Sequence, residues 1–185
     1  MPDKTARLVV LDRDGVINEE SAEYIKTPEE WQPIDGSLEA IARLCAAGFN
    51  VILATNQSGV ARGLFSPLTL DAIHRRMTAG IEASGGMLAG IFVCPHGPDD
   101  GCDCRKPKPG LMYQIEKAVG RRLARQPVIG DSMRDIEAGR AVGARLILVR
   151  TGNGLETEKA LSDCDDVEVY DDLAAAAEAL IGPQD

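Results

Sequence analysis

The strongest constraint on the fold is an alternation. Short unbroken apolar runs at residues 8–11, 51–54, 91–93, 127–129 and 146–149 are separated by stretches whose apolar residues recur at helical spacing. A run that is apolar at every position reads as a strand buried on both faces, the pattern of a parallel sheet covered by helices on both sides. Strand and helix in strict alternation predict helical crossovers between parallel strands. A length of 185 residues supports one sizeable core. With no internal repeat, low-complexity stretch or linker, residues 1–185 are read as a single domain.

The helical stretches carry their own punctuation. Ser37 is placed to cap a helix with Leu38, Ile41, Ala42, Leu44 and Cys45 on its apolar face and Gly48 as its stop. Ser66-Pro67 opens a second helix with a Leu70, Ile73, Met77 and Ile81 stripe, beside which His74 reads as a surface or boundary residue. Leu111, Met112, Ile115, Val119 and Leu123 mark a third helix, and Ile136 and Val142 a fourth. An edge strand at 167–170 and an Ala-rich helix at 172–181 complete the pattern. Residues 19–33 form a long polar loop holding Tyr24, Lys26 and Trp31, the tryptophan as a packing anchor.

The residues just past each strand carry the chemistry, because open parallel sheets place their sites at the strands' carboxyl ends. Residues 8–11 run into Asp12 and Asp14, two acids able to reach one spot, where they repel unless a cation such as Mg²⁺ lies between them. The second strand ends in Thr55-Asn56-Gln57-Ser58-Gly59, small polar groups suited to an anion or to an ordinary turn. The fourth ends in Gly130-Asp131-Ser132-Met133-Arg134-Asp135, again an acid pair.

After the third strand, Cys94, His96, Cys102 and Cys104 fall within eleven residues. A Cys₃His set suits tetrahedral Zn²⁺, and four protein ligands make a closed structural site. Cys45 and Cys164 lie apart from this loop. Arg105-Lys106-Pro107-Lys108 comes immediately after it, the densest positive charge in a chain of net charge −9.

A shared sheet edge would collect Asp12, Asp14, Thr55, Lys106, Asp131 and Asp135, a kit for phosphoryl transfer. Asp12 would attack phosphorus, and Asp14 would serve as acid and then base. Mg²⁺ would be held by Asp12, Asp131 and the backbone carbonyl of Asp14. Lys106 and Thr55 would bind phosphoryl oxygens, with Asp135 orienting Lys106 or Asp131.

The segments Asp12-Arg13-Asp14-Gly15-Val16-Ile17-Asn18, Ala54-Thr55-Asn56-Gln57-Ser58-Gly59, Arg105-Lys106-Pro107 and Gly130-Asp131-Ser132-Met133-Arg134-Asp135 resemble the four motifs of haloacid dehalogenase-like phosphatases. The resemblance spans roughly residues 8–154. It implies a Rossmann-like sheet with a minimal cap or none, Mg²⁺ for catalysis and a structural Zn²⁺ in the 94–104 loop. It also implies that Thr55, Arg105 and Lys106 contact the phosphoryl group or the substrate, that Asn56, Gln57 and Ser58 line the pocket, and that Tyr24 belongs to a substrate loop. Members often carry Lys where this chain has Ser132. The substrate class implied is a phosphorylated sugar, with the phosphate of an amino alcohol as the alternative.

A zinc-stabilised nucleic-acid-binding module is the distant alternative. The net charge of −9 and the aspartate cluster both speak against it, and the charge likewise disfavours a membrane surface. A polar start without a signal peptide and no span long enough for a bilayer point to a cytoplasmic protein, expected to be a monomer.

Overall fold

In the computed structural model, which describes residues 7–161 and 164–182, the apolar runs all become strands of one sheet, four of them interior, whereas the 91–93 run falls in an edge strand that is only partly buried because it has a neighbour on one side alone. The polar start of the chain, residues 1–6, lies outside the described residues. The strands are β1 (Arg7–Leu11), β2 (Phe49–Asn56), β3 (Leu88–Cys94), β4 (Pro127–Gly130), β5 (Arg145–Val149) and β6 (Val167–Tyr170). Their order is β3-β2-β1-β4-β5-β6, and every pairing is parallel. The helices are α1 (Ser37–Ala46), α2 (Pro67–Ala83), α3 (Gly110–Val119), α4 (Met133–Arg140), α5 (Gly154–Ala160) and α6 (Leu173–Ile181), with a short 3₁₀ turn at Pro28–Glu30.

The period-2 alternation of strand side chains divides the core in two. Val9 and Leu11 of β1 join Val51, Leu53, Ile129 and Ile147 under α1, α2 and α6. Leu8 and Val10 join Ile52, Ala54 and Val128 on the opposite face, against Leu111, Met112 and Ile115 of α3 and Ala138 of α4. Both faces of the central strands are therefore buried, which is why their sequences show no polar alternation.

Several local expectations are met and several shift. Ser66 caps α2 by accepting from Thr69 N at 3.1 Å, and Asp172 caps α6 by accepting from Ala175 N at 2.8 Å. Ser37 does not cap α1. The cap residue is Gly36, in the left-handed conformation, and the Ser37 hydroxyl donates to Ile17 O at 2.6 Å. Leu123 and Val142 fall beyond their helices, yet both are buried, because the turns they occupy still pack on the sheet. Trp31 is buried as expected, and its indole N–H donates to Asn18 Oδ1 at 3.0 Å. That bond ties the 19–33 loop to the turn after β1.

Helix α5 has no counterpart among the sequence-predicted elements. It is seven residues long, and what fixes it is tertiary: Thr157 Oγ1 donates to Asp131 O at 2.8 Å. His74 also departs from expectation. It is 8% exposed and points from α2 toward the turn after β1. Among the described residues no helix is long and apolar enough to cross a membrane.

Candidate active site

The carboxyl ends of β1, β2 and β4 open into a cleft of about 340 Å³. Asp12 comes directly after β1, and its N–H donates to Ile129 O at 3.0 Å, which extends the parallel ladder by one rung. The chain then turns tightly, with Ile17 N donating to Arg13 O at 2.8 Å and Gly15 N to Asn18 O at 2.8 Å. Gly15 and Gly152 both have positive φ, and a Cβ on either would collide with the Asp131 carboxylate. Two glycines thus let two loops close on one aspartate.

Lys106 sits at the centre. It is 2% exposed, and its ammonium contacts Asp135 Oδ1 at 2.5 Å, Ala54 O at 2.7 Å and Asp12 Oδ1 at 3.0 Å. Burial works against the charge, but Asp12 and Asp135 outweigh it and hold the lysine above its usual value. Asn56 positions Lys106 through the backbone: Asn56 Nδ2 donates to Lys106 O at 3.0 Å, and Lys106 N donates to Asn56 Oδ1 at 3.1 Å.

Asp135 is fully engaged. Besides Lys106, it accepts from Ser132 N at 3.1 Å and Ser132 Oγ at 2.6 Å. Burial would raise its carboxyl, yet Lys106 and Ser132 hold it below the usual range. Asp12 behaves in the opposite way. Burial and the Asp135 charge push it well above the usual range in spite of Lys106. Asp131 is raised to about 6 by burial and Asp135, against Asn153, whose N and Nδ2 donate to Oδ2 at 2.8 and 3.0 Å.

Asp14 is held as an anion. Oδ1 accepts from Arg13 Nε at 3.2 Å, Arg13 Nη2 at 2.9 Å and Asn18 Nδ2 at 2.9 Å. Among the described residues Oδ2 accepts only from Gln57 Nε2, at 2.8 Å, so it is the less encumbered oxygen. Burial works to raise this carboxyl, but Arg13, Asn18 and Gln57 bring it below the usual value.

Carboxylate oxygens of Asp12, Asp131 and Asp135 lie within 4.8 Å of one another. These are hard oxygen donors, the set that Mg²⁺ prefers, and two of them are destabilised as anions without a cation. The residues therefore fit that ion, with Asp12 and Asp131 as the open pair, since Asp135 is committed to Lys106 and Ser132.

The 94–104 loop gathers a second donor set of different chemistry. His96 Nδ1 lies 3.2 Å from Cys104 Sγ and 3.5 Å from Cys94 Sγ, while Cys94 Sγ is 3.3 Å from Cys104 Sγ and 3.7 Å from Cys102 Sγ. Four ligands at Zn–S distances of about 2.3 Å around a tetrahedral ion stand roughly 3.8 Å apart, so this cluster could hold zinc with small adjustments. Arg105 Nη1 donates to His96 O at 3.2 Å and Lys108 Nζ to Cys102 O at 2.8 Å, which brace the loop beside Lys106.

Of the sequence-predicted site residues, Asp12, Asp14, Tyr24, Asn56, Gln57, Ser58, Arg105, Lys106, Asp131 and Asp135 all line the cleft. Thr55 does not. It has no exposed surface, and its Oγ1 accepts from Gln57 Nε2 at 2.9 Å behind the cleft wall. Sequence reasoning missed Arg13 and Asn18, which hold Asp14, and Asn153, which holds Asp131. It also missed Glu20, Arg62 and Arg134 at the mouth. Arg13 and Asn18 stand inside the first motif, where spacing was a usable signal. Asn153 stands in the turn just past β5, where the strand-end rule was a usable signal, whereas Arg62 and the ring of His74 had none, being brought in by tertiary packing.

A buried lysine facing a carboxylate, with acids gathered at parallel strand ends, defines a phosphatase of the haloacid dehalogenase-like fold. A HAD-hydrolase-like family model matches residues 103–176. The D-glycero-β-D-manno-heptose-1,7-bisphosphate 7-phosphatase of Bordetella bronchiseptica is 49% identical over 95% of this chain and 98% of its own length. The enzyme of the same name from Pseudomonas aeruginosa is 51% identical over 94% of this chain and 97% of its own. The crystal structure of the B. bronchiseptica phosphatase, complexed with magnesium and phosphate, superposes with a TM-score of 0.92 over 95% of this chain and 98% of that one. A D,D-heptose 1,7-bisphosphate phosphatase from Burkholderia thailandensis, 42% identical, gives a TM-score of 0.76 over 96% of this chain and 99% of that one. The chain belongs to this family of phosphatases.

Proposed function

We propose that the chain hydrolyses the 7-phosphate of D-glycero-D-manno-heptose 1,7-bisphosphate, in the supply of nucleotide-activated heptose for the lipopolysaccharide core. Residues 1–185 are read as one phosphatase domain, the 94–104 loop included. The observation that carries the reaction is the contact between Lys106 and Asp12, 3.0 Å, at the floor of the cleft. It leaves Asp12 facing the substrate with a fixed cation at its side.

An Asp12 carboxylate oxygen attacks phosphorus, the bond to the sugar oxygen breaks, and an aspartyl phosphate forms. Asp14, ionised in the free protein, takes up a proton from solvent on Oδ2 when the dianionic phosphate binds beside it, and gives that proton to the departing oxygen. It then takes a proton from the water that attacks the aspartyl phosphate. Phosphate leaves and Asp12 is restored. Lys106 steadies the phosphoryl oxygens, and Asp135 keeps Lys106 in place. Mg²⁺, held by Asp12, Asp131 and the Asp14 carbonyl, supplies charge neutralisation when bound. Zn²⁺ held by Cys94, His96, Cys102 and Cys104 would be structural, because four protein ligands would leave no position for water. Tyr24, Asn56, Gln57, Ser58 and Arg105 bound the substrate, while Thr55 acts from behind through Gln57.

The mouth favours a bisphosphate. Arg62, Arg105 and Arg134 line it in a chain of net charge −9, and arginine forks suit phosphate. Histidinol phosphate, the alternative, would bring a cationic amine to the same three arginines, with Glu20 as the carboxylate beside them. The acidic surface supports a cytoplasmic enzyme without nucleic-acid or membrane partners. Phosphate release from heptose 1,7-bisphosphate and from histidinol phosphate, each with Mg²⁺ and with EDTA, tests the reading. Brisk Mg²⁺-dependent release from the heptose and little from histidinol phosphate is expected, and the reverse preference overturns the substrate.

A further inference from the structure

We propose that His74 is a positioning residue for the phosphatase reaction: it accepts a hydrogen bond from the buried Arg13 guanidinium and thereby fixes the Asp14 carboxylate. The inference rests on the acid and base role proposed for Asp14. Arg13 is 1% exposed, so each of its N–H groups needs an acceptor inside the protein. One edge of the guanidinium, Nε and Nη2, grips Asp14 Oδ1, and Nη2 also donates to Gln57 Oε1 at 3.1 Å. The remaining nitrogen, Nη1, has His74 Nε2 at 3.4 Å as its partner among the described residues. The planar group is thus held at both ends, by Asp14 and Gln57 on one side and His74 on the other. Releasing one end lets the plane swing about the Asp14 contact and carry that carboxylate with it.

The chemistry of the imidazole suits this task. Burial and the Arg13 charge lower His74 to about 4, against the weaker pull of Asp14 and Asp71. The ring is therefore neutral at neutral pH, with its proton on Nδ1 and a lone pair on Nε2 turned to Arg13. A protonated ring would offer no acceptor and would set two cations side by side. The backbone beneath it is firm, since α2 runs for 17 residues from a capped start and buries Ile73 and Met77 on either side of His74. His74 does not line the cleft, so its contact with Arg13 is what links it to the reacting groups.

The test compares wild type, His74→Leu, His74→Gln and Asp14→Asn in steady-state hydrolysis of heptose 1,7-bisphosphate with Mg²⁺, with thermal unfolding of each. Leucine fills the site without an acceptor, whereas glutamine presents Oε1 at similar reach. His74→Leu should lower kcat about tenfold or more, the scale of a misplaced catalytic group, with KM within about twofold. His74→Gln should recover most of kcat. A structural role alone would lower Tm and leave kcat of the folded enzyme unchanged, and that result overturns the proposal. Loss of kcat in both variants also overturns it, because the acceptor would then not be what matters. Activity retained by Asp14→Asn would instead refute the acid and base reading, a separate failure that the same experiment identifies.

Discussion

Two clusters of metal-binding side chains stand side by side in this protein, and they are assembled in opposite ways. The Cys94, His96, Cys102 and Cys104 set comes from the end of one strand and the loop after it. The Asp12, Asp131 and Asp135 set joins the end of β1 to the distant end of β4 and the first turn of α4 that follows it, and meets only because β1 and β4 are neighbours. The first is a local clip. The second is a product of sheet topology. They join at Lys106, two residues beyond Cys104, whose ammonium lies between Asp12 and Asp135. The clip aims the lysine, and the sheet supplies what it is aimed at.

The sharpest way to break the comparison is on the sheet side. Asp12→Asn removes the nucleophile while keeping size and hydrogen bonding. Turnover should fall by roughly 10⁴ or more with the circular dichroism spectrum unchanged. Turnover near wild type would rule out attack by Asp12.

Lys106→Met tests the joint. It strands two buried carboxylates, so stability should drop by about 3–5 kcal/mol in denaturant titration. In the same variant kcat should fall roughly 10²-fold or more. A variant as stable as wild type would show that the ion pairs are not the reason for the lysine's place.

Stripping zinc with a chelator tests the clip. Amide protection should fall across residues 94–110 first, with β1 and β4 still protected, and kcat should drop about tenfold as Lys106 loses its support. Simultaneous loss of protection in both regions would mean that the clusters are not separate units.

Behind the sheet cluster, His74 titrates low because burial and Arg13 disfavour its charge, to about 4 against 6.5 in an unfolded chain. The unfolded state then binds more protons in that window, so this group's contribution to stability is lost as pH falls from about 6.5 to about 4. His74→Gln should flatten that part of a stability-against-pH curve, and an unchanged slope would sink the assignment.

The smallest effect is expected from Lys108→Ala. That lysine is 52% exposed and holds Cys102 O at 2.8 Å, two residues from the buried one. Removing it should cost less than about 1 kcal/mol and leave kcat within about twofold.

The legibility of the two clusters reflects their construction. Cys94 to Cys104 could be read as a zinc set from spacing alone, because its geometry is confined to a few bonds of chain. The apolar runs were equally plain as strands, but not all as doubly buried ones: 91–93 lies in the edge strand β3, because a run of three apolar residues does not show how many neighbours it has. Asp12 and Asp131 became a pair only through the inference that all strand ends share one edge, which the β3-β2-β1-β4-β5-β6 order bears out. That Thr55 is covered was not legible, because sequence shows that a residue ends a strand but not which neighbour lies over it, and here the Gln57 amide donates to its hydroxyl. Ser37 looked like a cap by identity, yet the carbonyl of Ile17 claimed its hydroxyl.

Residue order alone therefore determined the layered α/β frame, the local zinc clip and the identity of the acids and lysine that end the strands. Tertiary structure alone decided how these groups are charged and held. It left Asp12 and Asp131 wanting a cation, committed Asp135 to Lys106, and kept Asp14 ionised through Arg13 with His74 behind it. Periodicity and spacing act over a few residues of chain, whereas desolvation and hydrogen-bond competition depend on every neighbour that packing brings within a few ångströms.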